Sequence, residues 1–179
     1  QCGPAALATV LTAAGHTAAP DELVSEVYLP ARKGSLQTEL VAAARRRGLL
    51  AYPLRREPAA LLDELAAGRP VLVLQNLGLS FWPRWHYAVV VGYDIERDRL
   101  LLRSGTRRRQ SLPRPRFEGT WDRAARWALV LLPPGATPVG AEPVGYASAI
   151  VALAGTAGAP AIEAAYRAGL ERWPAQPLL

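Results

Sequence analysis

The sequence has no methionine, one cysteine (Cys2), one lysine (Lys33), two histidines (His16 and His86) and no apolar run of membrane-spanning length. A single cysteine excludes an internal disulfide, and with two histidines there is no Cys/His cluster of the kind that holds zinc. No metal and no cofactor is therefore expected, and the lone thiol leaves the redox compartment open. Arg, Glu, Pro or Gly interrupts every apolar stretch well short of the roughly 20 residues of a spanning helix. The chain opens on Gln1 rather than on methionine, so it is expected to be a fragment. A signal peptide or lipid anchor would have to precede Gln1, and membrane association would depend on such an anchor.

What the sequence does contain bounds the architecture. Its 179 residues, 50% of them apolar, suffice for one domain with a proper core and a small appendage. The net charge of +6 is carried almost wholly by arginine, with runs at Arg45–Arg47 and Arg107–Arg109. The first run ends a predicted helix, where cations suit the dipole. The second is read as part of a Pro-rich loop without stacking aromatics, so nucleic-acid binding is not expected.

Helical signals dominate the first half. Gly3 to Gly15 has Pro4 in its first turn, an apolar face of Ala5, Ala6, Leu7, Val10 and Leu11, and a glycine stop. Asp21 to Val27 follows Pro20. Ser35 to Arg47 has Ser35 as its expected N-cap and Gly48 as its stop, and Pro58 to Ala67 closes at Gly68. The period then shifts to that of strands at Val71–Gln75, Trp85–Asp94, Leu100–Arg103 and Trp127–Leu132, with a short strand at Leu50–Leu54. Helices first and strands later predict an α+β fold, an antiparallel sheet packed on a helical half with a cleft between them. Residues 133–143, rich in Pro and Gly, read as a linker. Residues 144–179 read as a helical hairpin, Tyr146–Ala154 and Pro160–Arg172, resembling one tetratricopeptide repeat. One repeat cannot bury its own face, so further repeats are expected after Leu179.

Two residues carry the chemistry. Cys2 precedes a helix N-terminus, where unpaired N–H groups and the helix dipole favour a thiolate and can stabilise an oxyanion forming beside sulfur. Gly3 permits close approach of substrate, and Pro4 gives up no useful helical donor. His86 stands at the head of an apolar strand, where sheets present groups to a cleft, with Trp82, Trp85 and Tyr87 expected to wall it. A cysteine and a histidine far apart in sequence and adjacent in space form the pair that acyl transfer requires. His16 lies in a loop and reads as surface.

The segments QCGPAALATVL, GSLQTELVAAARRRGL and above all WHYAVVVGYD resemble the C39 family of papain-like cysteine peptidases. The resemblance covers residues 1–132. It is nearest to the bacterial branch in which the peptidase domain precedes tetratricopeptide repeats, and it implies an exported, periplasmic or membrane-anchored protein. A papain-like fold, a nucleophile at Cys2 and a base at His86 follow from it, as does a peptide or protein substrate. The repeats would take a protein partner. Relatives carry a glutamine a few residues before the cysteine as oxyanion donor; here it is expected ahead of Gln1. They also carry an Asp or Asn on the strand after the histidine, and counting along the hairpin brings that position to Ser104. A serine can accept the imidazole N–H but adds no charge. Asn76 is the other candidate to orient the ring, with Gln75 and Trp85 as orienting or substrate-binding neighbours. Asp94, eight residues along the same strand, is about 26 Å away at about 3.3 Å per residue.

The reading these residues favour is thiol-dependent hydrolysis of a peptide bond. A catalytically weakened peptide-binding module is the alternative that the uncharged Ser104 supports. A papain-like acyltransferase is a third, which product analysis with an added amine would separate.

Overall fold

In the computed structural model residues 2–105 and 107–176 are described; Gln1, beside Cys2, and Leu179 lie outside them. Seven α-helices and six strands alternate along the described chain. The first half runs α1 (Cys2–Ala13), α2 (Pro20–Val27), a single 3-10 turn (Pro30–Arg32), α3 (Gln37–Arg46), β1 (Leu50–Pro53) and α4 (Pro58–Ala66). It continues with β2 (Val71–Asn76), β3 (Trp85–Asp94), β4 (Arg99–Ser104), β5 (Arg107–Pro113), α5 (Arg114–Asp122), β6 (Ala128–Leu132), α6 (Pro143–Ala154) and α7 (Ala159–Arg172). All six strands form one antiparallel sheet in the order β1-β6-β2-β3-β4-β5.

Period-two alternation in the strands sorts their side chains into two cores. Val71 and Val73 of β2, Ala88 and Val90 of β3, and Ala128, Val130 and Leu132 of β6 face α4, α5 and α6. Leu72 and Leu74, Tyr87 and Val89, and Leu129 and Leu131 face α1, α2 and α3. The sheet is thus covered on both faces, which explains why its central strands read as continuous apolar runs. The N-terminal helices pack on the sheet as expected, and α4, α5 and α6 cover its other face. α4 crosses to the far side because Ala60 and Leu61 are buried on the β2 and β3 face opposite α1.

Three local readings are corrected. Residues 107–113 are a strand rather than a loop, paired with β4 through a turn whose Gly105 has φ +58°, the left-handed region that glycine adopts freely. β5 is an edge strand, where Arg109 remains in water, so no apolar alternation announced it. α5 went unread because Phe117 and Trp121, one turn apart, are the only two of its residues that are buried. Ser35 does not cap α3: Leu36 occupies the N-cap position without a side-chain cap bond, and the Ser35 hydroxyl is buried with no hydrogen-bond partner.

The 133–143 stretch is fastened to the domain. Glu64, fully buried on α4, accepts from the Val139 amide at 2.6 Å and from the Arg69 guanidinium. Arg172 donates to the Pro138 and Val139 carbonyls and to Thr137 Oγ1. Tyr146, Ala147, Ile150 and Leu153 of α6 belong to the same core as β1 and β6, and Ala165 of α7 completes it.

Candidate active site

Cys2 is the first residue of α1 and is half-buried, packed at the margin of the α1–α3 core. The first turn of α1 abuts the head of β3: a Cβ added at Gly3 would lie 3.7 Å from Tyr87 Cδ2. Tyr87 donates to the Ser35 carbonyl at 3.2 Å and meets the Trp127 ring edge-on at 6.0 Å. Burial first, and then the charge that Cys2 can carry, push the Tyr87 phenol well above its ordinary range. Tyr87 therefore stays protonated.

His86, next to Tyr87 in sequence, has the opposite parity and belongs with Gln75 and Ser104 on the α5 side. Its Nε2 lies 2.7 Å from Ser104 Oγ. Burial, followed by the nearby Arg84 charge, holds its imidazole below the ordinary 6.5. At neutral pH the ring is therefore uncharged and able to accept a proton. Gln75 sits opposite His86 in the β2–β3 register and is buried, its amide donating to Thr120 Oγ1 at 2.6 Å. That bond ties β2 to α5 beneath the histidine.

Asn76 is directed elsewhere. Its side-chain oxygen accepts from the Gly78 and Arg84 amides, each at 2.9 Å, and its nitrogen donates to the Leu79 carbonyl. It organises the β2–β3 loop, and of the two candidates to orient the ring, Ser104 is the one in hydrogen-bond contact with it. Of the three aromatics expected to wall the cleft, Trp85 lines it, Tyr87 turns to the α1 side, and Trp82 projects into solvent on the loop. His16 is exposed.

The cleft is a cavity of about 900 Å³ whose lining includes Gln75, Trp85, His86, Ser104 and Thr120. Cys2 is not among its lining residues, and among the described residues no hydrogen bond joins Cys2 to His86. Arg84, Arg116, Thr120 and Arg123 also line the cavity and were not picked out from the sequence. The signal was available: 116, 120 and 123 follow helical i, i+4, i+7 spacing, but it is legible only once α5 is known to be a helix. Among the described residues, no group of His, Cys, Asp and Glu is arranged to hold a metal, and no helix is long and apolar enough to cross a membrane.

The mixed helix and antiparallel-sheet scaffold matches the papain-like fold of C39 peptidase structures. Residues 1–128 match the family model described as Peptidase_C39 like family, and the chain belongs to that family. Among solved structures, it is similar to a C39-like peptidase from Bacillus anthracis, at 18% identity and TM-score 0.62, covering 73% of this chain and 88% of that one. The peptidase domain of Streptococcus ComA, a bifunctional ABC transporter involved in quorum sensing, matches at 22% identity and TM-score 0.57, covering 74% and 90%. A double glycine motif protease from an AMS/PCAT transporter, solved with its leader peptide, matches at 23% identity and TM-score 0.57, covering 73% and 83%. No curated protein matches the chain. The α6–α7 hairpin lies beyond the residues that the family model covers.

Proposed function

We propose that the protein is a thiol-dependent peptidase in which Cys2 is the nucleophile, His86 the general base and Ser104 the group that orients the base. The observation that carries this reading is the 2.7 Å contact from His86 Nε2 to Ser104 Oγ at the rim of an open cleft. With Nε2–H donating to the serine oxygen, the Nδ1 lone pair is the one left to take a proton. Nδ1 removes the Cys2 thiol proton, and sulfur attacks the substrate carbonyl carbon. The collapsing tetrahedral species expels the amine, which takes the proton from His86. Water, deprotonated by the same ring, then releases the acid and restores the thiol. Contact between the Cys2 thiol and Nδ1 is assigned to the substrate complex, since catalytic contacts in unliganded sites are often long. The leader peptide bound to the AMS/PCAT neighbour supports a peptide substrate. In the same reading the α6–α7 hairpin, which follows the family-matched residues, opens a tetratricopeptide-like array that holds substrate or a protein partner.

Labelling of Cys2 by iodoacetamide near neutral pH, lost in His86→Ala, is the expected result; equal labelling of both proteins sinks the pair.

One further reading has an observation in its favour. The orienting position holds an uncharged serine, which stabilises imidazolium less than a carboxylate does. A peptide-binding module with weakened catalysis would show slow or absent turnover alongside retained peptide affinity, and a turnover assay run beside peptide binding separates the two.

A further inference from the structure

The cavity beside His86 carries charge of one sign. Arg84, Arg116 and Arg123 line it, and among the described residues no aspartate or glutamate does. The cause lies in how α5 distributes its side chains. Phe117 and Trp121 face the core. Glu118 and Asp122 turn to a third face, where Arg114 and Arg126 engage them. Positions 116, 119, 120 and 123 share the remaining face and look into the cavity. The acids of this helix are thus neutralised away from the cleft, while its cleft-facing arginines are not. Among the described residues, no carboxylate lies within 4.0 Å of the guanidinium of Arg84, Arg116 or Arg123, although most other ion-paired arginines meet one at about 3 Å or less. Arg123 is held in place without losing its charge, its Nη2 donating to the Asn76 carbonyl at 3.1 Å. Gly119 leaves the middle of the face bare, since an added Cβ there would meet only Arg123 Nη1, at 3.9 Å.

Three like charges around one opening repel each other and attract anions, and a guanidinium fork matches a carboxylate in shape as well as sign. We propose that this cleft selects peptides bearing acidic side chains, with Arg84 and Arg116 as the specificity-determining contacts and Arg123 fixed behind them. The proposal deepens the peptide-cleft reading above and rests on it for the polymer that enters. Burial holds the His86 imidazole down first and the Arg84 charge second; a carboxylate seated against Arg84 would offset the second, linking acidic substrate to a better base.

The test is binding to the Cys2→Ala chain, so that turnover plays no part. Fluorescein-labelled, C-terminally amidated decapeptides with two glutamates, or with glutamine at both places, are titrated by anisotropy at 50 and 300 mM NaCl. The glutamate peptide is expected to bind roughly tenfold tighter at low salt, with most of that advantage screened away at high salt. Arg84→Gln and Arg116→Gln, both at exposed positions, should each weaken the glutamate peptide about threefold and leave the glutamine peptide unchanged, and Arg116→Lys should restore part of the loss. Equal affinity for the two peptides at both salts overturns the proposal. So does a free-acid glutamine peptide binding as tightly as the glutamate one, which would assign the site to a terminal carboxylate. A single-stranded oligonucleotide of equal charge competing as well as the glutamate peptide also overturns it. A chain that binds acidic peptides yet cleaves none keeps this inference and loses the peptidase reading; one that cleaves peptides but ignores their charge does the reverse.

Discussion

His86 Nε2 and Ser104 Oγ approach to 2.7 Å across neighbouring strands β3 and β4. The contact is possible because His86 and Ser104 have side chains on one face of the sheet and the β4–β5 turn starts immediately after the serine. It gives the imidazole one partner and one free nitrogen.

Ser104→Ala removes that partner. We expect kcat for peptide hydrolysis to fall roughly fivefold with KM little changed, the loss of one hydrogen bond of about 1 kcal/mol. Ser104→Asp should raise kcat and move the His86 pKa upward, because a carboxylate stabilises the imidazolium. An unchanged pH–rate profile in both variants would remove Ser104 from the site.

The His86 ring titrates below the ordinary 6.5 because it is buried and faces Arg84. An NMR titration of its ring protons should show this directly, and Arg84→Gln should raise the value. The linkage to stability has a definite sign. Below pH 6.5 the unfolded chain takes up this proton before the folded one does. The His86 contribution to stability is therefore complete above that pH and declines as pH falls toward the folded value. Removing the ring in His86→Gln should flatten that part of the stability profile in denaturant titrations.

Glu64 is fully buried, with its carboxylate shared between Arg69 and the Val139 amide. Glu64→Ala strands both donors and frees the 133–143 stretch from α4. We expect a loss of roughly 2–3 kcal/mol, below the figure of about 3–5 for a wholly buried pair because Arg69 keeps part of its side chain in water. Chemical denaturation reads the loss, and faster proteolysis within 133–143 would locate it.

Ser35 and Gly3 make an opposed pair of substitutions. A Cβ at Gly3 would sit 2.4 Å from Ser35 Oγ and 2.7 Å from Ser35 Cβ, so Gly3→Ala should cost about 1–3 kcal/mol and displace the turn that carries Cys2. Ser35→Ala removes a buried hydroxyl with no partner and should be neutral or stabilising by about 1 kcal/mol. Combining the two should recover part of the Gly3→Ala loss, as thermal melts and the Cys2 alkylation rate would show. A Gly3→Ala protein with wild-type stability and thiol reactivity would contradict the tight contact.

The helices ending at Gly15, Gly48 and Gly68 and the strands at Val71, Trp85 and Ala128 were legible because each carries its own period and its own stop. β5 and α5 were not. An arginine-rich edge strand has no apolar face to display, and a helix with Phe117 and Trp121 as its only two buried residues shows a single i, i+4 step. The loss mattered at the site, since α5 supplies Thr120, Arg116 and Arg123 to the cleft.

Local sequence determined that a cysteine would open a helix and that a histidine would head an apolar strand, because caps, glycine stops and side-chain period act over a few residues. Only the tertiary structure decided that Ser104 rather than Asn76 meets the imidazole, and that three arginines from two distant segments share one opening. Those outcomes depend on strand register and on which face of the sheet a helix covers, and both are set by burial summed over the whole chain.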